Sequence, residues 1–181
     1  MNALILASAD CLRTDLRDFT ELLAGRPWPR TVIAVGAAGI VYTGRIDHWV
    51  MLHAQNFPEF RKQRRGNSDY VSWTREGQKY AANADRLAEH WKGSSGLLAV
   101  SVAFTLGATR IVLCGLPLDA RPHLGSKDAW HASANFRADW RIRRAMLSPR
   151  VRSMNGWTEE TFGRPTEEWL GLMDAKGGQH V

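Results

Sequence analysis

Apolar residues recur along the chain in short unbroken runs separated by polar loops, a pattern typical of strands buried in a parallel sheet. These runs predict strands at 2–8, 31–35, 46–53, 70–73, 111–114 and 151–154. Apolar residues at helical spacing predict helices at 15–24, 82–91, 94–106, 133–147 and 158–162, with a last helix from 166. Strands that alternate with helices define an α/β protein. We therefore expect a Rossmann-like three-layer α/β/α fold with a mostly parallel sheet.

The overall organisation is simple. No linker or internal repeat divides the chain, so we expect a single Rossmann-like domain over 1–181, with a frayed tail from about residue 174. Thr14, Thr158 and Thr166 are candidate helix N-caps. No stretch resembles a signal peptide or a membrane span, which predicts a soluble, cytoplasmic protein. Cys11 and Cys114 lack metal-ligand spacing and are expected to be reduced thiols.

The stretch 94–119 carries the clearest signals. Ser94 and Ser95 precede an apolar run with almost no polar face, which predicts a buried helix capped by a serine hydroxyl. Gly107 is a natural residue to close that helix because it tolerates positive φ. The run 111–114 then predicts a buried strand. Ligands of open α/β sheets bind beyond the carboxyl ends of strands, so 115–119 is expected to face a site.

Small and polar residues follow several predicted strands, whose carboxyl ends share one edge of a parallel sheet. They are Ser8, Asp10, Gly36, Ala37, His53, Gly115, Asp119, Arg121, His123 and His131, joined by Ser95 and Gly96 at the start of the central helix. We expect them to line one ligand site. The loop after the first strand has no dinucleotide fingerprint or P-loop, so Ser8 and Asp10 either contact a phosphate or ribose or only cap the helix. No nucleophile elbow of a serine hydrolase is present.

The positive net charge of the chain is compatible with several classes of binding partner. A formal net charge of +6 suits an anionic ligand or nucleic acid, and equally a solvated arginine-rich surface. Basic residues crowd into 59–65, which is expected to be a solvated helix face or a mobile loop. The chain has no zinc finger, RNP motif or basic leucine zipper, so direct readout of a DNA sequence is not expected. Oligomerisation also stays open.

The block from Ser95 to Gly115 combines a serine-glycine helix start, a Leu-Gly pair and an apolar strand ending in glycine. It resembles a segment shared by two related families. One comprises the bacterial CMP-sialic-acid-dependent sialyltransferases. The other contains motility accessory factors and the archaeal-type hydroxymethyl-dihydropterin pyrophosphokinase. In both, an acidic residue lies just beyond the strand, as Asp119 does here. The families carry Gly-x-Gly-Pro-Ser after the first strand and asparagine after the second, where this chain has Ala-Ser-Ala-Asp-Cys at 7–11 and Gly-Ala-Ala at 36–38.

The sialyltransferase resemblance implies a small glycosyltransferase-like enzyme that uses a nucleotide or nucleotide-sugar donor. It implies that His123 acts as general base on the acceptor hydroxyl, with His131 as the second candidate. Arg121, Lys127 or arginines of the following helix would neutralise the leaving phosphate.

The pyrophosphokinase resemblance implies instead that Asp10, Asp47 or Asp119 holds Mg²⁺ between phosphates. A second class of function also stays open, a non-catalytic Rossmann-like accessory protein that binds a nucleotide, a polyanion or a protein partner.

Overall fold

A seven-stranded, entirely parallel sheet organises the molecule, which a computed structural model describes over residues 1–89, 91 and 93–172. The strands are β1 Asn2–Leu6, β2 Arg30–Val35, β3 His48–Val50, β4 Val71–Arg75, β5 Arg86–Ala88, β6 Arg110–Cys114 and β7 Val151–Ser153. Their order is β5-β4-β3-β2-β1-β6-β7. The chain moves outward from β1 to β5 and then returns to the other side of β1. The strand order therefore reverses between β1 and β6, the place where α/β sheets bind ligands.

Helices cover both faces of the sheet. They are α1 Leu12–Leu23, α2 Ala38–Val41, α3 Phe57–Gln63, α4 Ser95–Thr105, α5 Ser133–Ile142, α6 Arg144–Leu147, α7 Gly156–Phe162 and α8 Glu167–Leu170, with 3₁₀ turns at Ala54–Asn56 and Ala81–Asn83. Along β1, Ala3 and Ile5 pack into the core under α4 to α7, whereas Leu4 and Leu6 pack into the core under α1 to α3 and α8. The predicted three-layer α/β/α class is confirmed. No helix of the described chain is long and apolar enough to cross a membrane.

The central helix α4 follows its local signals closely. The Ser94 hydroxyl accepts the N–H of Leu97 at 3.3 Å, and Gly107 closes the helix with φ of +81°. Every residue of α4 from Gly96 to Ala103 is buried. Thr166 likewise caps α8 by accepting the N–H of Trp169. These predictions are confirmed because caps and stops depend on near neighbours in sequence.

The predicted helix at 82–91 is wrong over its described part. The chain forms the 3₁₀ turn Ala81–Asn83 and then the edge strand β5 beside β4. Asp85 sets this pairing, because its carboxylate accepts the backbone N–H of Ser72 at 2.8 Å and the Ser72 hydroxyl at 2.6 Å. A contact across the sheet thus outweighs the helical preference of an alanine-rich segment.

Several element boundaries also differ from expectation. Helix α1 begins at Leu12 and α7 at Gly156, so neither Thr14 nor Thr158 is an N-cap. The predicted helix at 133–147 breaks at Arg143. The third strand stops at Val50 rather than at 53. Nearby, the Leu52 N–H is taken by the Ser95 hydroxyl of α4 at 3.3 Å rather than by a strand. The frayed tail predicted from 174 lies outside the described residues.

The basic side chains of segment 59–65 differ in their exposure and contacts. Its first part forms most of α3, where Arg61 and Lys62 are exposed. Arg64, by contrast, turns inward and donates hydrogen bonds to the carbonyls of Gly39, Tyr42, Gly44 and Asn67. This arginine therefore fastens the loop that follows β2, rather than forming part of a solvated face.

Candidate functional site

A cavity of about 570 Å³ lies at the carboxyl edge of the sheet, beside the point where the strand order reverses. The predicted residues that line it are Ser8, Gly36, Ala37, His53, Ser95, Gly96, Gly115, Asp119, Arg121 and His123. Two predicted residues lie outside the lining. Asp10 is exposed, and His131 is exposed between Trp130 and Ala132, which do line the cavity. The structure thus brings together segments that follow β1, β2, β3 and β6.

Ser8 joins the loops that follow β1 and β2. Its hydroxyl donates to the carbonyl of Val35 at 3.0 Å and accepts the N–H of Ala38 at 3.1 Å. Gly36 has φ of +53°, and a Cβ at this position would lie 3.6 Å from the Ser8 hydroxyl oxygen. Because the single hydroxyl proton is already used within the protein, Ser8 can accept from a ligand but cannot donate to one.

Gly115 makes the turn at the end of β6 and could not be replaced easily. Its φ is +69°, and a Cβ at this position would collide with the carbonyl oxygen of Ala7, the residue directly after β1. Its N–H donates to the Asp15 carboxylate at 2.7 Å. Glycine therefore lets β6 end tightly against β1 and places the following loop over the cavity.

Asp15 is a buried carboxylate beneath this turn, and only 1% of it is exposed. Besides the N–H of Gly115 it accepts the Asn155 side-chain amide at 3.2 Å and the Cys11 thiol at 3.5 Å. Burial, and after it the charge of Asp15, raises the pKa of Cys11 to about 12. Cys11 is therefore a protonated thiol that donates to Asp15, and a nucleophilic role is not supported. Cys114 is likewise an unpaired buried thiol, as expected.

Asp119 and Arg121 form a pair at the rim of the cavity. The Arg121 Nε lies 3.0 Å from Asp119 Oδ2, and the Arg121 N–H donates to Asp119 Oδ1 at 3.0 Å. The preceding residue, Leu118, has φ of +49°, and its carbonyl accepts from Arg137 Nε at 2.8 Å. The carboxylate of Asp119 thus balances the charge of Arg121, and an anionic ligand would have to compete with it.

An aromatic wall continues from this loop. The ring centroids of His123 and Trp130 are 4.6 Å apart, and those of Trp130 and Phe136 are 5.6 Å apart. The backbone of His123 also forms an antiparallel bridge with Ala9. His123 is exposed at the mouth of the cavity, and its position is fixed by the ring of Trp130 and by the backbone bridge with Ala9.

The N-terminus of α4 forms another side of the cavity. Ser94 and Ser95 use their hydroxyls to accept the N–H groups of Leu97 and Leu52. The backbone N–H groups of Ser95 and Gly96 make no hydrogen bond with the residues that the structure describes. First-turn N–H groups of a long helix are suited to an anion such as phosphate.

The three aspartates proposed for Mg²⁺ are not brought together. Asp47 precedes β3 at the opposite, amino edge of the sheet, where it accepts the N–H of Val32 at 2.9 Å. Asp10 is exposed and lies outside the cavity lining that includes Asp119. Within the described ranges, no three histidine, cysteine or acidic side chains form a group that could hold a metal. The Mg²⁺ expectation therefore has no support in the arrangement of these residues.

Sequence reasoning missed several residues of the site. Asn56 lines the cavity from the 3₁₀ turn after β3, and its side-chain amide has no hydrogen-bond partner among the described residues. Trp130 and Phe136 were not distinguished from other aromatic anchors. Asp15 did carry a signal, because it occupies the apolar stripe of α1 together with Leu12. An acidic residue in such a stripe indicates a buried carboxylate with partners elsewhere in the fold.

Neither a protein-family model nor a curated protein matches the chain. Solved structures do match its fold. The sialyltransferase CstII from Campylobacter jejuni, in complex with the substrate analogue CMP-3FNeuAc, superposes with a TM-score of 0.57 and 11% identity, over 90% of this chain and 85% of that chain. The sialyltransferase CST-II in complex with a trisaccharide acceptor and CMP gives a TM-score of 0.55 and 12% identity, over 90% and 86%. This chain shares the fold of these transferases, while the pyrophosphokinase-like part of the resemblance has no support from the comparisons.

Proposed function

We propose that this protein is a small transferase that uses a nucleotide-activated donor, bound in the cavity at the carboxyl edge of the sheet. The observation that carries the proposal is the position of that cavity. It lies beside the strand-order reversal and is bordered by the N–H groups of Ser95 and Gly96, which have no partner among the described residues. The fold is shared with sialyltransferase structures that hold CMP or the substrate analogue CMP-3FNeuAc. The continuous sheet also supports the proposal that 1–181 form one domain.

The chemistry of the cavity walls suggests how a nucleotide would lie. Its phosphate would accept from the N–H groups of Ser95 and Gly96, and Arg121 lines the same cavity as a cation. The base would pack against the apolar wall, where the free amide of Asn56 offers both a donor and an acceptor. A cytidine nucleotide is the first ligand to test because the matching structures contain CMP or the substrate analogue CMP-3FNeuAc.

In the proposed reaction, the acceptor hydroxyl oxygen bonds to the anomeric carbon of the donor sugar. The bond between that carbon and the phosphate oxygen breaks, and the nucleotide leaves with the electron pair. His123 takes the hydroxyl proton, for which a neutral imidazole at the cavity mouth is suited. Arg121 stabilises the charge that develops on the leaving phosphate.

His131 is the competing general base. It lies outside the lining in the described structure, but both of its neighbours contribute to the wall. Substituting each histidine separately decides between them. We expect His123→Ala to abolish transfer, and His131→Ala to retain most of it. The reverse result would assign the base to His131.

The proposal is tested by thermal unfolding with CMP, CDP, UDP-sugars, ATP and pterins, each with and without Mg²⁺. A ligand present at about 100 times its dissociation constant stabilises the folded state by about 2.7 kcal/mol, which raises Tm by several degrees. We expect cytidine nucleotides to stabilise the protein without Mg²⁺, and His123→Ala to keep that shift while losing transfer from a CMP-sugar. The absence of a shift with every nucleotide would overturn the proposal.

The alternative is a nucleotide-binding accessory protein without catalysis. It is favoured by the hydroxyl of Ser8 being engaged within the protein and by Asp119 balancing Arg121. It predicts nucleotide binding with neither transfer nor hydrolysis of any CMP-sugar. Incubating the protein with a CMP-sugar and an acceptor, and following release of CMP, separates the two functions.

A further inference from the structure

A second concave surface lies at the opposite edge of the sheet, near the amino ends of β6 and β7. This basal groove has a volume of about 650 Å³ and is lined by Thr109, Arg110, Pro149, Arg152, Thr166, Glu168 and Trp169. None of its lining residues belongs to the cavity at the carboxyl edge. The function proposed above does not use it.

The two arginines of the basal groove have unused hydrogen-bond donors. Arg152 donates through Nη1 to the carbonyls of Ser148 and Val151, at 2.7 and 2.8 Å, which leaves Nε and Nη2 without a partner among the described residues. Its guanidinium lies 5.0 Å from the ring centroid of Trp169. Arg110 makes no side-chain hydrogen bond or ion pair within the described ranges. Its guanidinium is close enough to Gly171 that a Cβ there would lie 3.6 Å from it.

Both guanidinium groups lack a carboxylate within ion-pair distance in the part of the chain that the structure describes. Burial lowers the pKa of Arg152, which records partial desolvation of its charge without an acidic partner. An arginine nevertheless stays protonated at any physiological pH. Each guanidinium is partly buried and has donors without a partner among the described residues, and its planar fork matches the geometry of phosphate oxygens.

The surroundings add further positive charge. Asn2 at the start of β1 is in register with Arg110 on one side and Arg30 on the other. Against these cations, Glu168 is the one acidic side chain among the described residues that line the groove. The local field therefore favours an anion.

The hydroxyl of Thr166 is a further hydrogen-bond donor in the basal groove. Thr166 Oγ1 accepts the N–H of Trp169 at 3.1 Å, and its own proton has no partner among the described residues. From these groups we infer that the basal groove binds a phosphate group, as inorganic phosphate or a small phosphate monoester, held by Arg110 and Arg152 with the hydroxyl of Thr166. This inference is independent of the function proposed for the other edge.

The test measures binding of inorganic phosphate by Trp fluorescence and thermal unfolding, with NaCl holding the ionic strength constant. We expect Arg110→Gln and Arg152→Gln to weaken phosphate binding about tenfold or more, since each removes a charge-assisted contact. Glu168→Gln should tighten binding severalfold by removing the opposing charge. Arg13→Gln, which removes one exposed positive charge from α1, is the matched control and should bind like the wild type.

Four results would overturn the inference. Phosphate and NaCl could stabilise the protein equally, both groove variants could bind phosphate like the wild type, or Arg121→Gln alone could abolish binding and so assign the anion to the other cavity. A short duplex oligonucleotide that binds through Arg110 without displacement by phosphate would also contradict a small-phosphate site. Arg152→Gln loses two backbone contacts and can unfold, whereas Arg110→Gln breaks no bond within the described protein and keeps the test decisive.

Discussion

Removing the buried carboxylate of Asp15 is the most direct perturbation of the floor beneath the candidate site. In Asp15→Ala, the N–H of Gly115 and the side-chain amide of Asn155 lose their acceptor, and the N–H of Gly115 bonds to a charged oxygen at 2.7 Å in the wild type. A buried donor left without a partner costs about 1–3 kcal/mol, at the upper end when the lost acceptor is charged. The variant should therefore lose about 3–5 kcal/mol of unfolding free energy, with Tm lower by about 10 °C.

Asp15→Asn separates the loss of charge from the loss of the acceptor. With its amide oxygen in the Oδ2 position it can still accept from Gly115 and Cys11, while its NH₂ group faces the side-chain amide donor of Asn155. We expect a smaller cost of about 1–2 kcal/mol. Urea unfolding of both variants measures these values, and the amide ¹⁵N–¹H resonance of Gly115 reports the turn directly.

The control is Asp18→Asn, a partly exposed position on the same helix that contacts Arg17 and Arg164 at the surface. It should leave the urea midpoint almost unchanged. The reasoning fails if the free energy of unfolding of Asp15→Ala is within about 1 kcal/mol of the wild-type value, since a buried donor without an acceptor should cost more. It also fails if the Gly115 resonance does not move in either variant.

Two further predictions follow from backbone geometry and burial. Gly115→Ala should lower the free energy of unfolding in urea by about 2–4 kcal/mol, because it adds a clash with the Ala7 carbonyl to an unfavourable positive φ. The control Gly25→Ala, with φ of +75° and open space around it, should lower it by only about 1 kcal/mol. Equal losses in the two variants would refute the clash. Burial lowers the pKa of His48, with Asp47 opposing, so the unfolded chain takes up a proton first. The free energy of unfolding should then fall as pH drops below about 6.5, and His48→Gln should weaken that dependence; an unchanged pH profile would show that His48 does not contribute.

The candidate site was predictable in outline because a parallel sheet has a simple geometric rule. Residues that follow different strands, such as Ser8, Gly36 and Asp119, meet at one edge whenever the strands run in the same direction. Their type and position along the chain are therefore enough to group them. The rule does not say how far each loop turns, and so it could not place Asp10 and His131 outside the cavity lining.

The hydrogen bonds and ion pairs within the candidate site could not be predicted from the sequence. The sequence does not show that Asp119 pairs with Arg121, because an ion pair depends on the path of the loop between them. Nor does it show that the Ser8 hydroxyl is already used by the loop after β2. These contacts change the chemistry available to a ligand, and they form only when distant segments meet.

By itself, the sequence determined the layered α/β class, the buried helix α4 with its serine cap, and the glycine that closes it. These features depend on hydrophobic periodicity and on bonds between near neighbours, which act before the chain is folded. Only the tertiary structure decided that 86–88 pairs as an edge strand, that Asp15 holds the Gly115 turn, and that Arg110 and Arg152 share a groove. Such contacts join residues far apart in the sequence, and their free energy exists only once packing has brought them together.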